Sequence, residues 1–208
     1  MPVSHQDRCV FVHIPKTAGT SIEMALGMVV DTLDATPRQD SLWGIETGDA
    51  GSTPIILHHL TAAEIRERIG TFSFESYFKF AVVRNPWDRL VSEYAWRRWR
   101  SSESFREFVR SLTDDRAPRD FELIAHLRPQ LDYLLDPATG KILVDFVGRF
   151  ETLDADFSAV CDRIGRKAPL PRQNRSEHEM YRALYDEETR DIVARVFAKD
   201  IEAFRYTF

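Results

Sequence analysis

A chain of 208 residues, 43% apolar and 29% charged, has the make-up of an ordinary globular protein with one substantial core, spanning residues 1–208 as a single domain. Its net charge of −5 argues against general nucleic-acid binding, although an anionic small molecule needs only local positive charge. No apolar run approaches the ~18 residues of a membrane span, and polar His5, Gln6, Asp7 and Arg8 precede the first apolar run, so no secretory signal is read. Cys9 and Cys161 are the only cysteines. Both sit in apolar patterns, which predicts buried free thiols and a reducing, cytoplasmic compartment. The six histidines lack ligand-like spacing, apart from adjacent His58 and His59, so no metal is expected.

The first apolar run, Cys9 to Ile14, reads as a buried strand. It is followed by Pro15, Lys16, Thr17, Ala18, Gly19, Thr20 and Ser21, then by a helical pattern from Ile22 to Leu26. A strand, a tight turn and a helix aim backbone N–H groups and the helix dipole at one point, which suits a phosphate or sulfate. Lys16 adds a charge; Thr17, Thr20 and Ser21 add hydroxyls. A Walker A loop is not present, because Lys16 precedes the only glycine of the stretch. A plain strand–helix turn capped by Thr20 or Ser21 fits equally well.

Residues 27–53, rich in Gly, Asp and Thr, read as an irregular excursion that contributes to an acceptor site. Pro54 to His59 reads as a second strand. Thr61 with Glu64 forms a capping box for a helix to Ile69, which Gly70 stops. Tyr77 to Arg84 is a third strand. Asn85 caps, and Pro86 opens, a long helix to about Arg100. Ser104 caps a further helix, Phe105 to Leu112. Pro118 to Leu135 is helical, Asp136 to Gly140 a turn, Lys141 to Phe150 a strand and Leu153 to Ile164 an amphipathic helix; two closing helices cover Glu177 to Leu184 and Glu187 to Ala203. Successive strand–helix units predict an α/β domain with a central parallel sheet flanked by helices. Ligands of such sheets bind beyond the carboxyl ends of the strands, an edge that collects Lys16, His58 or His59, and Arg84.

On the third helix Ser92 lies seven residues after Asn85 and returns to the same face about 10 Å along. With Arg84 at the strand end, the two can grip one phosphate. The segment VVRNPWDRLVSEY, Val82 to Tyr94, resembles the 3′-phosphate motif of sulfotransferases, as the Pro15–Ser21 stretch resembles their 5′-phosphosulfate loop. The likeness continues through GRFETLDADFSAVCDRIG, LPRQNRSEHEMY and the ending DIEAFRYTF, and so covers nearly the whole chain. It is to sulfotransferase family 2, which includes Golgi carbohydrate enzymes and many bacterial members.

The resemblance implies a P-loop-kinase-like sulfotransferase fold and the co-substrate 3′-phosphoadenosine 5′-phosphosulfate (PAPS), with no metal. It implies that Lys16, Thr17, Ala18, Gly19, Thr20, Ser21, Arg84 and Ser92 hold that nucleotide, with Arg175 and Ser176 completing the site. Lys16 would also stabilise the leaving oxygen. Family members carry a histidine, one residue, then Thr-Ala. That pattern selects His59 over His58 as the base, with Glu64 as a rival whose first task is capping. His13 reads as structural. Trp96, Arg97, Arg98, Trp99 and Arg100 read as an amphipathic helix with Trp in the core and Arg in water, rather than as a sugar platform. The resemblance implies a hydroxyl acceptor, with carbohydrate as one class; these residues name neither the acceptor nor the oligomeric state. A small-molecule kinase on a related fold, and a nucleotide-binding module without catalysis, are the competing readings. The chain shows no stem or anchor of the Golgi type.

Overall fold

A computed structural model describes residues 3–28, 45–46, 55–56, 59–99, 101–171 and 181–208. Four strands form the main sheet: β1 (Val3–Ser4), β2 (Cys9–Val12), β5 (Phe78–Val83) and β6 (Phe146–Arg149), in the order β1-β2-β5-β6. The β2–β5 and β5–β6 pairs are parallel, and only the short β1 runs antiparallel, at the edge. Helix α1 (Gly19–Leu26) follows β2, and α4 (Pro86–Arg97) follows β5. Between them lie β3 (Ile45–Glu46), β4 (Ile55–Ile56), α2 (Ala62–Ile69) and α3 (Thr71–Ser76). Beyond α4 come α5 (Phe105–Ser111), α6 (Phe121–Leu127), α7 (Leu153–Ile164), α8 (Glu187–Val196) and α9 (Ala198–Phe204). This is the expected α/β architecture with a mostly parallel sheet.

Strand periodicity explains the core. All four residues of β2 are fully buried, so both of its faces are covered. Val10 and Val12, with Ala81 and Val83 of β5, pack on one side against Ile65, Phe74 and Leu134. Cys9 and Phe11, with Phe80 and Val82, pack on the other against Ile22 and Leu26 of α1 and Phe157 and Val160 of α7. Cys9 and Cys161 are buried free thiols, as composition predicts. Burial is the largest influence pushing Cys9 up to about 11, so it remains a protonated, inert thiol. A separate cluster joins Trp87 and Leu90 to Phe108 and Val109 of α5 and to Ile192 and Val193 of α8.

Several helix boundaries match their sequence signals. The Thr61–Glu64 and Ser104–Glu107 capping boxes both form, and Asn85 accepts from the Trp87 N–H with Pro86 at the first helical position. The second strand is a correction. Within Pro54–His59, Ile55–Ile56 pairs antiparallel with Ile45–Glu46 in a ribbon separate from the main sheet. A sheet strand over Pro54–His59 was expected there because the apolar run cannot distinguish a sheet strand from a buried connection. Helix α3 was not anticipated, and β6 is confined to Phe146–Arg149. His58, Arg175, Ser176 and most of the 27–53 excursion lie outside the described residues.

Candidate functional site

The turn between β2 and α1 is shaped by backbone geometry that L-residues seldom adopt. Lys16 and Ala18 are both left-handed, with φ of 68° and 69°. Ala18 is the N-cap of α1 and supplies no side-chain hydrogen bond to the helix, which overturns the alternative of a turn capped by Thr20 or Ser21. The first-turn N–H groups of α1 have no acceptor within the helix. The Thr17 hydroxyl is consumed internally: fully buried, it donates to the Ile14 carbonyl at 2.9 Å. Thr20 is exposed and Ser21 half-buried at the start of the helix. Gly19 is required by close packing, since a Cβ there would meet His13 Nε2 at 1.9 Å.

Two arginines of the next strand–helix unit brace this turn. Arg89 Nε donates to the Pro15 carbonyl at 3.0 Å, and Arg84 Nη1 donates to the Lys16 carbonyl at 3.1 Å. In a planar trans peptide the carbonyl and the following N–H point in opposite directions. Drawing these carbonyls toward the arginines therefore turns the Lys16 and Thr17 N–H groups the other way. The loop becomes a concavity of donors in front of the α1 dipole.

Arg84 is only 3% exposed, so it is not in the surface ion pair that would be its uneventful role. Asp88 accepts two of its bonds, from Nε at 2.7 Å and from Nη2 at 2.9 Å, and the guanidinium lies 4.0 Å from the Phe150 ring centre. Its peptide is pinned as well: Gln130 accepts from the Arg84 N–H and donates to its carbonyl, both at 2.8 Å. Arg84 thus arrives at the loop with a fixed orientation. Ser92, half-buried, shares the face of α4 that carries Arg89, Glu93 and Trp96, the face turned to the loop.

Lys16 Nζ sits 4.7 Å from the centre of the Trp96 ring. Burial pulls its ammonium below the ordinary lysine value; Glu93 opposes that pull, and Arg84 adds to it. Trp96 is 42% exposed and Trp99 72%, whereas the Arg97 side chain is 14% exposed. The amphipathic reading of this stretch, with Trp inside and Arg in water, is therefore overturned for Trp96, Trp99 and Arg97, while Arg98 is exposed as expected. Arg97 is drawn inward by Glu93, at 2.7 Å, and it also pairs with Asp120.

His59 reaches the same end of the sheet without belonging to a sheet strand. Its Nδ1 lies 3.1 Å from the His13 carbonyl, and a carbonyl only accepts, so Nδ1 carries the proton and the neutral ring keeps its lone pair on Nε2. Its ring meets His13 edge-on at 4.7 Å and His126 edge-on at 5.1 Å. His13 Nδ1 pairs with Glu23 at 3.0 Å, and His126 Nδ1 pairs with the buried Glu93 at 2.7 Å. Burial favours the protonated Glu93 carboxyl, but hydrogen bonds from His126 and Arg97 outweigh it, so Glu93 titrates below its ordinary value. Glu64 is occupied at its cap, accepting from the Thr61 N–H at 2.7 Å.

The structure therefore gathers Lys16, the Thr17–Ser21 turn, Arg84 and His59 at the carboxyl ends of β2 and β5. Asp88, Arg89, Glu93 and His126 belong to the same arrangement and were not singled out from the sequence. Asp88 and Arg89 stand inside the Val82–Tyr94 motif, where the signal was available. His126 comes from α6, and only topology brings it in. Among the described residues no group of three or more His, Cys, Asp or Glu side chains has the geometry to hold a metal ion.

Comparison with known proteins adds an independent line. A protein of Archaeoglobus fulgidus, described as uncharacterized, is 34% identical over 125 residues, covering 58% of this chain and 95% of its own length. Carbohydrate sulfotransferase 14 of Homo sapiens is 27% identical over 186 residues, and that of Danio rerio 26% over 191, covering 77% and 78% of this chain. The matches cover 45% and 47% of those two enzymes, so the chain spans about half of their length. The sequence profile of the sulfotransferase family matches residues 1–207. With a mostly parallel sheet, an uncapped and braced turn after its first parallel strand, and a profile match along nearly its whole length, the chain belongs to the sulfotransferase family.

Proposed function

We propose that this protein transfers a sulfuryl group from PAPS to a hydroxyl of a carbohydrate acceptor. The observation that carries the proposal is the Pro15–Gly19 turn, whose Pro15 and Lys16 carbonyls are held by Arg89 and Arg84, which turns the Lys16 and Thr17 N–H groups away from the arginines. That arrangement suits the 5′-phosphosulfate end of the donor. Arg84 and Ser92 would take the 3′-phosphate, and the segment with Arg175 and Ser176 would complete the nucleotide site. The carbohydrate acceptor is inferred from the named relatives. Two buried free thiols fit a reducing, cytoplasmic setting, and among the described residues no helix is long and apolar enough to cross a membrane.

When bound, the donor supplies a sulfur already activated by its link to phosphate. The protein's work is then alignment and charge neutralisation. Lys16 would stabilise the charge that gathers on the bridging oxygen as the S–O bond to phosphate breaks. His59 takes the acceptor proton on Nε2, which its bond to the His13 carbonyl leaves as the accepting nitrogen. The acceptor oxygen forms the new S–O bond. Calorimetric titration with adenosine 3′,5′-bisphosphate, beside ATP with magnesium, tests the nucleotide assignment. A transfer assay with labelled PAPS against a panel of sugars tests the reaction. Binding of ATP with magnesium in preference to the bisphosphate would favour a kinase and overturn the proposal.

A further inference from the structure

Glu93 is 1% exposed, and its carboxylate is held by side chains that the nucleotide assignment does not use. Its partners come from three directions. His126 of α6 donates Nδ1–H to Oε2 at 2.7 Å, because an ionised carboxylate only accepts. Arg97, one turn along α4, donates to Oε1 at 2.7 Å. Lys16, from the turn, feels its charge across the face of α4 that also carries Trp96. The His126 ring meets the His59 ring edge-on at 5.1 Å. One carboxylate therefore stands behind both groups to which the reaction gives opposite protonation tasks.

We propose that Glu93 and His126 form a positioning pair for sulfuryl transfer. His126 holds the ring of His59, and the Glu93 carboxylate stabilises positive charge on both His59 and Lys16. The inference rests on the transfer reading above. Other charges near the pair are Arg89 on α4, Arg84 at the end of β5, Asp120 and Glu122 around Arg97, and Glu23 behind His13. Glu93 is the carboxylate joined to His126, the ring against His59, and it is the foremost charge raising the Lys16 value.

The sign of the effect follows. His59 must be neutral to accept a proton, so its titration sets the acidic limb of the kcat profile. Lys16 must be charged, so its titration sets the alkaline limb. Removing a nearby negative charge lowers the pKa of both cations, by about one unit for a close neighbour. The whole bell moves toward acid.

Glu93→Gln keeps the shape and retains an acceptor for His126, while Arg97 still has Asp120. The expected result is a fall in kcat of about tenfold or more, both limbs displaced to lower pH, and an unchanged Kd for adenosine 3′,5′-bisphosphate. Unchanged kcat, or a fall with both limbs fixed, overturns the inference. Should Glu93→Gln not melt cooperatively, His126→Gln is read instead: kcat falls while the alkaline limb stays, because the carboxylate remains, and an unaltered kcat overturns the pair. NMR titration of the His59 ring in nucleotide-free protein gives the same test without turnover. An unmoved His59 value in Glu93→Gln sinks the inference whatever becomes of the sulfotransfer reading. Failure of the wild-type protein to use PAPS sinks that reading alone.

Discussion

Two helix N-termini a short distance apart in sequence are built in opposite ways. At α2, Thr61 and Glu64 satisfy each other's backbone donors, and the helix start is closed by its own side chains. At α1 the N-cap is a left-handed alanine, no side chain caps the helix, and no acidic residue lies in its first turn. Helices α5 and α8 follow the α2 pattern, with capping boxes from Ser104–Glu107 and Asp186–Thr189. A side-chain cap stabilises a helix by about 1 kcal/mol. Helices α3, α7 and α9 also start without a side-chain cap hydrogen bond, so what sets α1 apart is the turn ahead of it, held by the buried Arg84 and Arg89. The contrast is between a terminus closed by its own side chains and one whose preceding turn is braced by Arg84 and Arg89, which the proposed function reads as an anion site.

That contrast can be broken most severely through chemistry at the α1 end. His59→Ala should lower kcat by ~10²–10⁴-fold with little change in nucleotide affinity. His58→Ala should do far less, and if it is instead the inactive variant, the base is the neighbouring residue. Lys16→Ala comes next, with an expected loss of ~10²–10³-fold in kcat, the scale for removing one donor to a developing oxyanion. Because burial holds the Lys16 ammonium below its ordinary value, wild-type activity should decline on the alkaline side at a lower pH than a solvent-exposed lysine would give. A rise in KM for PAPS with kcat preserved would reduce Lys16 to a binding residue.

Arg84→Gln sharpens the comparison rather than breaking it, since Arg84 both braces the turn and is assigned to the 3′-phosphate. Affinity for the 3′,5′-bisphosphate should fall about tenfold or more, on the basis of a charge-assisted bond worth roughly 1.5–3 kcal/mol. Affinity for the nucleotide lacking the 3′-phosphate should fall less, by the part that the brace on the Lys16 carbonyl contributes. Equal losses for both, by calorimetry, would make Arg84 a brace alone. The smallest effect belongs to the closed terminus. Thr61→Ala should cost about 1 kcal/mol, roughly 2–4 °C in Tm for a chain of this size, and leave nucleotide affinity unchanged. A nucleotide defect there would mean the α2 cap is not purely structural.

The difference between the two termini was half legible in the sequence. Thr-x-x-Glu before an apolar pattern is a local signal, and α2 begins where it predicts. The strand–turn–helix unit around Lys16–Gly19 was recognisable, but its missing cap and left-handed residues go with contacts made far along the chain. The misassigned strand at Pro54–His59 has the same origin. Its apolar residues match a sheet strand locally, whereas His59 is tied to the His13 carbonyl, 46 residues away, and packs against the rings of His13 and His126. His126 carried no local signal, and Glu93, although it stands inside the Val82–Tyr94 motif, reads as an ordinary residue of an amphipathic helix until α4 and α6 pack together. Trp96 and Arg97 exchanged their expected environments once Glu93 supplied a buried partner for the arginine.

The arginine braces have a consequence for folding. Arg89 meets Pro15 across 74 residues of sequence, and Arg84 meets Lys16 across 68. The concavity exists only where the start of α4 has docked beside the end of β2, so it matures with long-range order rather than with the local turn. A ligand held there is linked to the entire native state, adding about 2.7 kcal/mol to unfolding at a hundred times its Kd. Nucleotide-dependent protection from amide exchange should accordingly extend into the β2–β5 core instead of stopping at the turn.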